Sequence, residues 1–437
     1  MQTVIILGAG PAGAAVALGL RRLDYPVTLI SDWRRFPALE GVSVRVLEAL
    51  RGAGLEQALG DALQASQRQV AWNGETHAQN IEYLLDRPTF DRALREALVL
   101  AGVRLIAGRV VAVDASGGGH RVRVEGQDEV RGAFLVDARG RQAPALGRSA
   151  GEGLRGPETV SLLNRWQGPT GSAASAVHSL RDGWAWMARR QDGQCYWQLT
   201  VDVASATLPG KAQLLEYCRQ RRRDCAMAQD FFAGGDEHEL HLHARSSTAI
   251  LSPQVCGDHW LRVGDAAMAV DPLSGNGMFQ SLSSALQAPA VINTLLQRPE
   301  RAALARRFYE ARVRQLFLRF ARIGRDFYAD EQRWAEQPFW QARRQWPDQE
   351  MAHAAVDFAS LRIERAPVLR DGLVDEAEVV ITPDQPLGVW HVQGVELAPL
   401  LRRLQQQSPA QALAGLNPEQ DRAVRGWLLG QGYRPPG

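Results

Sequence analysis

The sequence predicts an α/β protein in which a parallel sheet with flanking helices is interleaved with an antiparallel sheet and followed by a small, mainly helical module. Three observations favour this fold class. The chain opens with an apolar run at residues 3–7, a glycine-rich turn and a segment of helical spacing at 12–23. Residues 158–250 show the alternation of apolar and polar side chains that is typical of antiparallel strands. Helical stretches at 396–407 and 418–430 follow a segment rich in Pro and Gly.

Short apolar runs separated by helical segments are expected to build the parallel sheet. A second run at 26–31 follows the first helix, so the opening of the chain forms a βαβ unit. Ser43 stands where it can cap one helix, and Thr89 where it can cap another. The other elements are expected as helices at 43–54, 88–101, 280–297 and 301–333 and as strands at 103–113, 120–124, 134–137 and 261–263.

The glycine-rich turn indicates a phosphate-binding site. Gly8 permits the turn, Gly10 lets a pyrophosphate approach the backbone, and Gly13 lets the helix pack on the sheet. The helix N-terminus at Pro11 and Ala12 then offers N–H groups to the phosphates. We therefore predict a Rossmann-like dinucleotide site formed by these five residues.

A contact with the ribose is expected at the end of the second strand, where an acidic residue usually binds the hydroxyl groups. This chain has Ser31 at that position and Asp32 one residue later. Either Asp32 takes the role or Ser31 makes a weaker hydrogen bond, and both are predicted to bind the cofactor.

A second glycine-bearing segment, at residues 264–277, reads Gly-Asp-Ala-Ala-Met-Ala-Val-Asp-Pro-Leu-Ser-Gly-Asn-Gly. It follows a predicted strand and opens a predicted helix, so a helix N-terminus again lies at its end. In the order and spacing of these residues the chain resembles the class A flavoprotein monooxygenases and the related flavin-dependent halogenases. The resemblance covers roughly residues 1–330 and implies that the dinucleotide is FAD.

The resemblance also implies roles for individual residues of this segment. Asp265 is expected to bind the ribityl or ribose hydroxyls. The loop that follows is expected to donate backbone N–H groups to the pyrimidine edge of the isoalloxazine, where a helix N-terminus stabilises negative charge on the reduced flavin. That loop contains Pro272, Gly275, Asn276 and Gly277.

Further matches extend the same resemblance. Residues 135–140 resemble the turn that closes the FAD domain, and Arg87 stands where these proteins often contact the FAD phosphates or ribose. An ordinary arginine at a helix start is the alternative for Arg87. Val110, on the strand expected at 103–113, is a further predicted cofactor contact.

The chain is expected to divide into three parts. The C-terminal part has a group of apolar residues that forms either its own core or a docking face for a protein substrate: Trp390, Leu397, Leu400, Leu401 and Leu404. The predicted parts are an FAD-binding domain at 1–157 and 251–335, an antiparallel substrate domain at 158–250 with further strands near 65–85, and a helical or winged-helix-like module at 336–437.

Composition argues against several other classes of protein. A formal net charge of +2 gives no reason to expect nucleic acid, and no apolar run is long enough to span a bilayer. The four cysteines are expected to be reduced and buried or semi-buried. His241 and His243 share one face of a strand, yet no third ligand has convincing spacing, so no metal is expected. No signal peptide is predicted, and we expect a cytoplasmic protein.

The resemblance leaves halogenation and hydroxylation to compare. Trp184 and Trp186 match the Trp-x-Trp motif of the halogenases, but the Ile-Pro that should follow is absent. Those halogenases also need a lysine to carry the oxidised halogen, whereas Lys211 is the only lysine among 50 Lys+Arg residues. Arginine does not deprotonate and cannot replace it. Hydroxylation through a C4a-hydroperoxyflavin, with O2 as co-substrate, is therefore the favoured reaction.

Hydroxylation requires a pocket that excludes water and aims an electron-rich ring. Four aromatic residues on candidate strands are predicted to line it, with packing in the sheet core as the alternative for each: Trp184, Trp186, Tyr196 and Trp197. Asp271, beside Pro272, is the best-placed candidate for a catalytic base, and capping of its own loop is the alternative.

Within this superfamily, residues 271–277 most resemble the flavoproteins that hydroxylate a protein tryptophan during tryptophylquinone biogenesis. The resemblance implies a protein substrate, namely a dehydrogenase subunit that carries the target tryptophan. A hydroxylase of a small free aromatic or indole metabolite is the alternative, and a non-catalytic flavin-binding assembly factor is another. Electrons are expected from NAD(P)H or from reduced flavin that a flavin reductase supplies.

Overall fold

The computed structural model describes residues 2–34, 36–116, 118–144, 153–232 and 238–434. Two compact units divide the chain: unit 1 contains Met1–Pro289 and Val313–Glu350, and unit 2 contains Ala290–Arg312 and Met351–Gly437. The helices are α1 (Pro11–Arg22), α2 (Val44–Ala53), α3 (Arg87–Leu100), α4 (Leu214–Arg223), α5 (Ala226–Phe231), α6 (Gly277–Gln297), α7 (Ala302–Asp330), α8 (Pro338–Arg343), α9 (Leu397–Gln406), α10 (Pro409–Ala412) and α11 (Pro418–Gly430).

Six sheets are formed by the following strands of the described residues. They are β1 (Val4–Leu7), β2 (Val27–Ser31), β3 (Leu39–Val42), β4 (Leu63–Trp72), β5 (Glu75–Asp86), β6 (Arg104–Ala107), β7 (Val110–Ser116), β8 (Gly119–Val124), β9 (Val130–Gly132), β10 (Phe134–Asp137), β11 (Leu154–Arg155), β12 (Thr159–Gln167), β13 (Ala174–Leu180), β14 (Gly183–Arg189), β15 (Gln194–Asp202), β16 (His238–Ser246), β17 (Ile250–Leu251), β18 (Trp260–Arg262), β19 (Met268–Ala269), β20 (Arg362–Arg370), β21 (Leu373–Thr382), β22 (Gln385–Val389), β23 (His391–Val392) and β24 (Val395–Glu396).

A five-stranded parallel sheet in the order β18-β10-β1-β2-β6 confirms the predicted α/β class. All four residues of β1 are buried, as expected for a central strand with both faces covered. The single strand predicted at 103–113 is wrong, because the chain breaks at Gly108. There β6 leaves the parallel sheet, and β7 pairs instead with β8 in a separate antiparallel sheet. A Cβ atom on Gly108 would lie 2.5 Å from Val124 Cγ1, so only glycine fits this crossing.

The predicted antiparallel sheet has eight strands in the order β16-β12-β15-β14-β13-β4-β5-β3. All its pairs are antiparallel except β13 with β4. One face, which we call the aromatic face, carries Trp184, Trp186 and Tyr196. Helices α4 and α5 contribute Cys218 and Ala228 to the core of the opposite face. These helices were not predicted, because α4 is short and its apolar stripe is limited to Leu214, Tyr217 and Cys218 before an arginine-rich end.

Helix α3 shows how local chemistry sets an element's start. The predicted cap, Thr89, is not the capping residue. Asp86 precedes the helix and its carboxylate accepts hydrogen bonds from the Thr89 backbone N–H at 3.2 Å and from the Thr89 hydroxyl at 2.7 Å. The role of Asp86 was not predicted, because Pro88 already indicated a helix start, and that start lies one residue from the observed one at Arg87.

Unit 2 contains a three-stranded antiparallel sheet, β20-β21-β22, the pair β23-β24, and helices α9 to α11. Leu397, Leu400 and Leu401 of α9 are buried against Val424 and Leu428 of α11. The core alternative for these leucines is therefore confirmed.

Two further features of the described residues concern the classes considered above. All four cysteines are buried thiols, as expected. No helix in the described part of the chain combines the length and apolar character needed to cross a membrane.

Candidate functional site

The glycine turn after β1 combines tight packing with one open position. Gly8 has a φ of +103°, and a Cβ atom there would lie 2.5 Å from the Ala138 carbonyl oxygen. A Cβ atom on Gly13 would collide with the Gly8 carbonyl oxygen. Gly10 differs, since it is the N-cap of α1 and no atom lies within 4 Å of its Cβ position. The protein's own packing thus requires Gly8 and Gly13, whereas the space beside Gly10 is available to a phosphate group.

We expect Gly10→Ala to weaken FAD binding by about ten- to a hundredfold without unfolding the protein, since overpacking a contact costs about 1–3 kcal/mol. The measurement is the dissociation constant of FAD by quenching of flavin fluorescence, with circular dichroism as the folding check. Gly52→Ala in α2 is the matched control, because its Cβ position is equally open. Equal FAD affinity in Gly10→Ala and Gly52→Ala would contradict this role.

The predicted ribose end lies at the C-terminal end of β2. Ser31 accepts a hydrogen bond from the Trp33 backbone N–H at 3.3 Å, and Asp32 is exposed. Arg87 is only 5% exposed and is held by two carboxylates, Glu40 at 2.5 Å and Asp91 at 2.8 Å. Burial opposes its charge, but these carboxylates outweigh burial and raise the pKa of Arg87.

A charged cluster surrounds this end of the site. Arg34 lies 3.5 Å from Asp91 and 4.0 Å from Glu40. Arg245 of β16 lies among these charged groups, and although its side chain is exposed, the surrounding protein lowers its pKa while Glu40 and Asp265 oppose that shift. Glu40 and Arg245 were missed by sequence reasoning because they lie on strands of the antiparallel sheet, far in sequence from both glycine motifs.

The Gly-Asp-Ala-Ala turn lies against the first glycine motif. The Gly264 backbone N–H donates to Ser284 Oγ at 2.9 Å, and a Cβ atom on Gly264 would lie 2.5 Å from Ser281 Oγ and 2.9 Å from Ala12 Cβ. Helices α1 and α6 therefore approach each other at this glycine. The structure thus brings together the two motifs that the sequence holds more than 250 residues apart.

Asp265, predicted to bind the sugar chain, lies beside Arg141 at 3.2 Å. Its side chain is 34% exposed, so part of the carboxylate is accessible to a ligand. Burial raises the pKa of Asp265, and Arg141 opposes this. Arg141 also donates to the Thr248 and Val270 carbonyl oxygens at 2.6 and 2.8 Å, which fixes the backbone on both sides of the turn. Sequence reasoning missed Arg141, although it follows directly after the turn recognised at 135–140.

The loop at 271–277 begins with a carboxylate that joins it to the aromatic face. Asp271 Oδ1 accepts hydrogen bonds from the Leu273 backbone N–H and from the Tyr328 hydroxyl, both at 2.9 Å. Tyr328 in turn accepts a hydrogen bond from Trp184 Nε1 at 3.1 Å. Burial raises the pKa of Asp271, while the nearby Arg343 acts against that shift. The alternative for Asp271, capping of its own loop, is confirmed, and Gly275 has the positive φ of +62° that the turn requires.

The predicted pocket residues divide between two faces of the sheet. Trp184, Trp186 and Tyr196 lie on the aromatic face, in one cluster with Leu273 of the flavin loop. The cluster is completed by Tyr328, Phe339 and Trp340. Trp197 is fully buried in the core of the opposite face, because successive side chains of a strand alternate. Val110, the first residue of β7, is partly buried against the core that contains Ile5 and Leu7.

Three remaining features bear on the chemistry. Lys211 is exposed at the start of a 3-10 turn before α4. Burial raises the pKa of Tyr196 to about 12, so its phenol stays neutral. Within the described ranges, no three His, Cys, Asp or Glu side chains are grouped to hold a metal ion.

Comparisons with known proteins extend this description. A family model described as lycopene cyclase protein matches residues 3–158. Among solved structures, the chain is similar to QhpG, a peptidyl tryptophan dihydroxylase essential for tryptophylquinone cofactor biogenesis, with 60% identity, a TM-score of 0.85 and 99% of each chain covered. It is 24% identical to the putative FAD-dependent oxidoreductase LodB of Marinomonas mediterranea over 364 residues. The matched region covers 78% of this chain and 96% of that protein. It is also 23% identical to the tryptophan 2-halogenase of Chondromyces crocatus over 371 residues. That matched region covers 78% of this chain and 70% of the halogenase.

Proposed function

The chain belongs to the family of halogenase-like flavoproteins that includes the peptidyl tryptophan dihydroxylase QhpG, and from that premise we propose that it hydroxylates a tryptophan side chain of a partner protein during maturation of a tryptophylquinone cofactor. It is an FAD-dependent oxidoreductase. The observation that carries the proposed reaction is the direct contact of the flavin loop with the aromatic face through Leu273.

The residues present fit FAD. The open space beside Gly10 suits the pyrophosphate, and the exposed part of the Asp265 carboxylate suits a hydroxyl-bearing sugar chain. The loop from Pro272 to Gly277 then supplies backbone N–H groups at the N-terminus of α6 for the ring. When bound and reduced, FAD supplies the activation of dioxygen that hydroxylation needs.

The aromatic face suits an indole ring. Trp184 and Tyr196 are each 2% exposed and packed in the core of the aromatic face, so a ring bound against this face would have apolar surroundings that keep water away. Trp186 contributes a third indole, whose Nε1 is already engaged with Glu82 at 3.3 Å. Aromatic walls of this kind hold a planar ring through edge and face contacts.

Asp271 is proposed as the group that accepts the proton released when oxygen enters the ring. It lies at the junction of the flavin loop and the aromatic face, where Tyr328 and the Leu273 N–H hold one of its oxygens in place. Its raised pKa brings it closer to the range in which a carboxylate accepts and releases protons efficiently.

Halogenation is disfavoured on the same geometry. The oxidised halogen needs a lysine between flavin and substrate, and Lys211 lies exposed beside α4, which packs on the opposite face of the sheet. No other lysine exists in the chain.

The proposal also includes the partner protein, the oxidant and the source of electrons. The partner is a dehydrogenase subunit that carries the target tryptophan, the oxidant is O2, and the electrons come from NAD(P)H or from reduced flavin delivered by a flavin reductase. The three-part division at 1–157 with 251–335, at 158–250 and at 336–437 and a cytoplasmic location remain our expectations.

A competition experiment tests the substrate class. The reduced, FAD-loaded protein is mixed in air with the partner subunit and an excess of free indole and tryptophan, and all products are analysed by mass spectrometry. We expect oxygen on the subunit's tryptophan and none on the free compounds. Oxygen on the free compounds alone would replace the proposal with hydroxylation of a small aromatic metabolite.

We expect Tyr328→Phe to move the acidic limb of the pH–rate profile upward by up to about one pH unit. The Tyr328 hydrogen bond lowers the pKa of Asp271, so its loss raises that pKa and leaves less carboxylate at a given pH. The size of this pH shift follows from the net contribution of one hydrogen bond, about 0.5–1.5 kcal/mol. Tyr217→Phe in α4, which removes a phenol bonded to Arg221, is the control and should leave the profile unchanged.

A further inference from the structure

A second charged group lies on the aromatic face, close to the flavin loop. Arg68 of β4 and Glu82 of β5 stand 3.8 Å apart, and Glu82 Oε2 accepts the hydrogen bond of Trp186 Nε1 at 3.3 Å. Glu82 is 8% exposed, and its carboxylate fills the space in front of Gly41, where a Cβ atom would collide with it. The Glu82 carboxylate is therefore held in place, and it positions the Arg68 guanidinium beside it.

The guanidinium of Arg68 lies against the loop that is expected to hold the flavin ring. A Cβ atom on Gly275 would lie 3.9 Å from Arg68 Nη1, which is ordinary van der Waals contact. Arg68 thus stands between the flavin loop on one side and Trp186, through Glu82, on the other. If the loop holds the flavin ring as proposed, an aromatic substrate that receives oxygen from it lies beside Arg68.

The hydrogen-bonding capacity of Arg68 is largely unused in the described part of the chain. Its Nε is buried without a hydrogen-bond partner there, and its contact with Glu82 at 3.8 Å is too long for a hydrogen bond. The side chain is only 28% exposed. Buried donors in folded proteins are nearly always satisfied, so the unpaired Nε–H points to an acceptor that arrives with a ligand. A planar guanidinium binds a negatively charged oxygen especially well.

We propose that Arg68 is a positioning residue for the second of two hydroxylations: it binds the oxygen that the first hydroxylation places on the indole ring. This inference rests on the proposed function and on two hydroxylations of the same ring, as the description of QhpG as a dihydroxylase suggests. In each hydroxylation one atom of O2 enters a ring C–H bond to give C–OH, and the other leaves as water. Reduced flavin supplies the two electrons and two protons and becomes oxidised FAD.

The cation affects both the geometry and the reactivity of the intermediate. A phenolic hydroxyl has a pKa of about 10 in water, and an adjacent positive charge favours its ionised form. The ionised oxygen releases electron density into the ring, which makes the second attack easier. Arg68 also fixes that oxygen, so the neighbouring ring carbon is presented to the flavin.

The test compares product ratios. Arg68→Gln is reacted with the partner subunit that the wild-type protein hydroxylates, and singly and doubly hydroxylated products are counted by mass spectrometry. We expect the second hydroxylation to slow by about 10- to 100-fold, the range for loss of a charge-assisted hydrogen bond, while the first changes little. Arg68→Lys, which keeps the charge, should recover part of the second step. Gln69→Ala, on the next residue of β4 and so on the opposite face, should leave the ratio unchanged.

Two additional readouts separate this role from others. The pH at which the second step is half-maximal should rise in Arg68→Gln and stay fixed in Gln69→Ala. The dissociation constant of FAD should be the same in all these variants. An unchanged product ratio in Arg68→Gln, or a shifted flavin potential with both steps slowed alike, would overturn the assignment. Failure of the proposed function is distinguishable, since the wild-type protein would then place no oxygen on the subunit.

Discussion

Asp271→Asn is expected to lower the rate of tryptophan hydroxylation by about 100- to 10,000-fold, the usual contribution of a general acid–base group. Asparagine has nearly the same shape, and it caps helical turns as well as aspartate does. The Leu273 N–H therefore keeps its acceptor, and FAD binding and thermal stability should change little. What the substitution removes is the ability of this position to take a proton from the ring.

The proposed role of Asp271 as a base also predicts how the rate of hydroxylation depends on pH. Because burial raises the pKa of Asp271, the wild-type rate should fall with decreasing pH through a limb that lies above the ordinary aspartate pKa of about 3.9. Below that limb the carboxyl group is protonated and cannot accept a proton. In Asp271→Asn the limb should disappear. Stopped-flow measurement of product formation between mildly acidic and neutral pH provides both results.

Asp357→Asn is the matched control for this substitution, because Asp357 caps a similar 3-10 turn in unit 2 through the Ala359 N–H at 3.0 Å. It should leave the rate and the pH profile unchanged. If Asp271→Asn keeps the wild-type rate while Asp271→Ala loses FAD, then Asp271 is only the cap of the flavin loop.

Arg343→Met is expected to lower the free energy of unfolding by about 3–5 kcal/mol, the cost of breaking a buried ion pair from one side. Arg343 is 3% exposed, and it pairs with Asp202 at 3.0 Å and donates to Thr159 Oγ1 at 2.6 Å. It also lies 4.0 Å above the centre of the Phe339 ring. Methionine retains the apolar contact but leaves the Asp202 carboxylate buried without its cation.

Urea denaturation followed by tryptophan fluorescence measures this loss. Arg155→Met is the control: its pair with Glu158 at 3.0 Å is about half exposed, and such pairs contribute about 1 kcal/mol or less. A double variant with Asp202→Leu should recover part of the stability, since it removes the uncompensated charge. A loss in Arg343→Met no larger than in Arg155→Met would contradict the account. Arg343 also lowers the pKa of Asp271, so any folded Arg343→Met should show the acidic limb at higher pH.

The parts of the site that the sequence predicted are those encoded by short segments. Gly8, Gly10 and Gly13 act within six residues, and their roles follow from backbone geometry alone. The same holds for the cap that Asp271 places on its own loop. Segments of this kind carry their chemistry in spacing, so a single sequence is enough to recognise them.

The parts that were missed depend on long-range packing. Arg68 and Tyr328 reach the flavin loop, and Glu82 lies beside Arg68, only because the eight-stranded sheet joins residues 63–86 to residues 159–246 and the end of α7 packs on its aromatic face. Nothing in the spacing of these residues specifies that register. Trp197 shows the converse, because it follows Tyr196 directly, and the alternation of a strand already places the two on opposite faces.

The measurement that tests the central claim most directly is isotope incorporation into the partner protein. The FAD-loaded protein is reduced without air, mixed with the dehydrogenase subunit, and exposed to isotopically labelled O2 in ordinary water that contains chloride. The account predicts labelled oxygen on one tryptophan of the subunit, no oxygen from water and no halogen. A tryptophan that gains no labelled oxygen, or that gains a halogen instead, would contradict it.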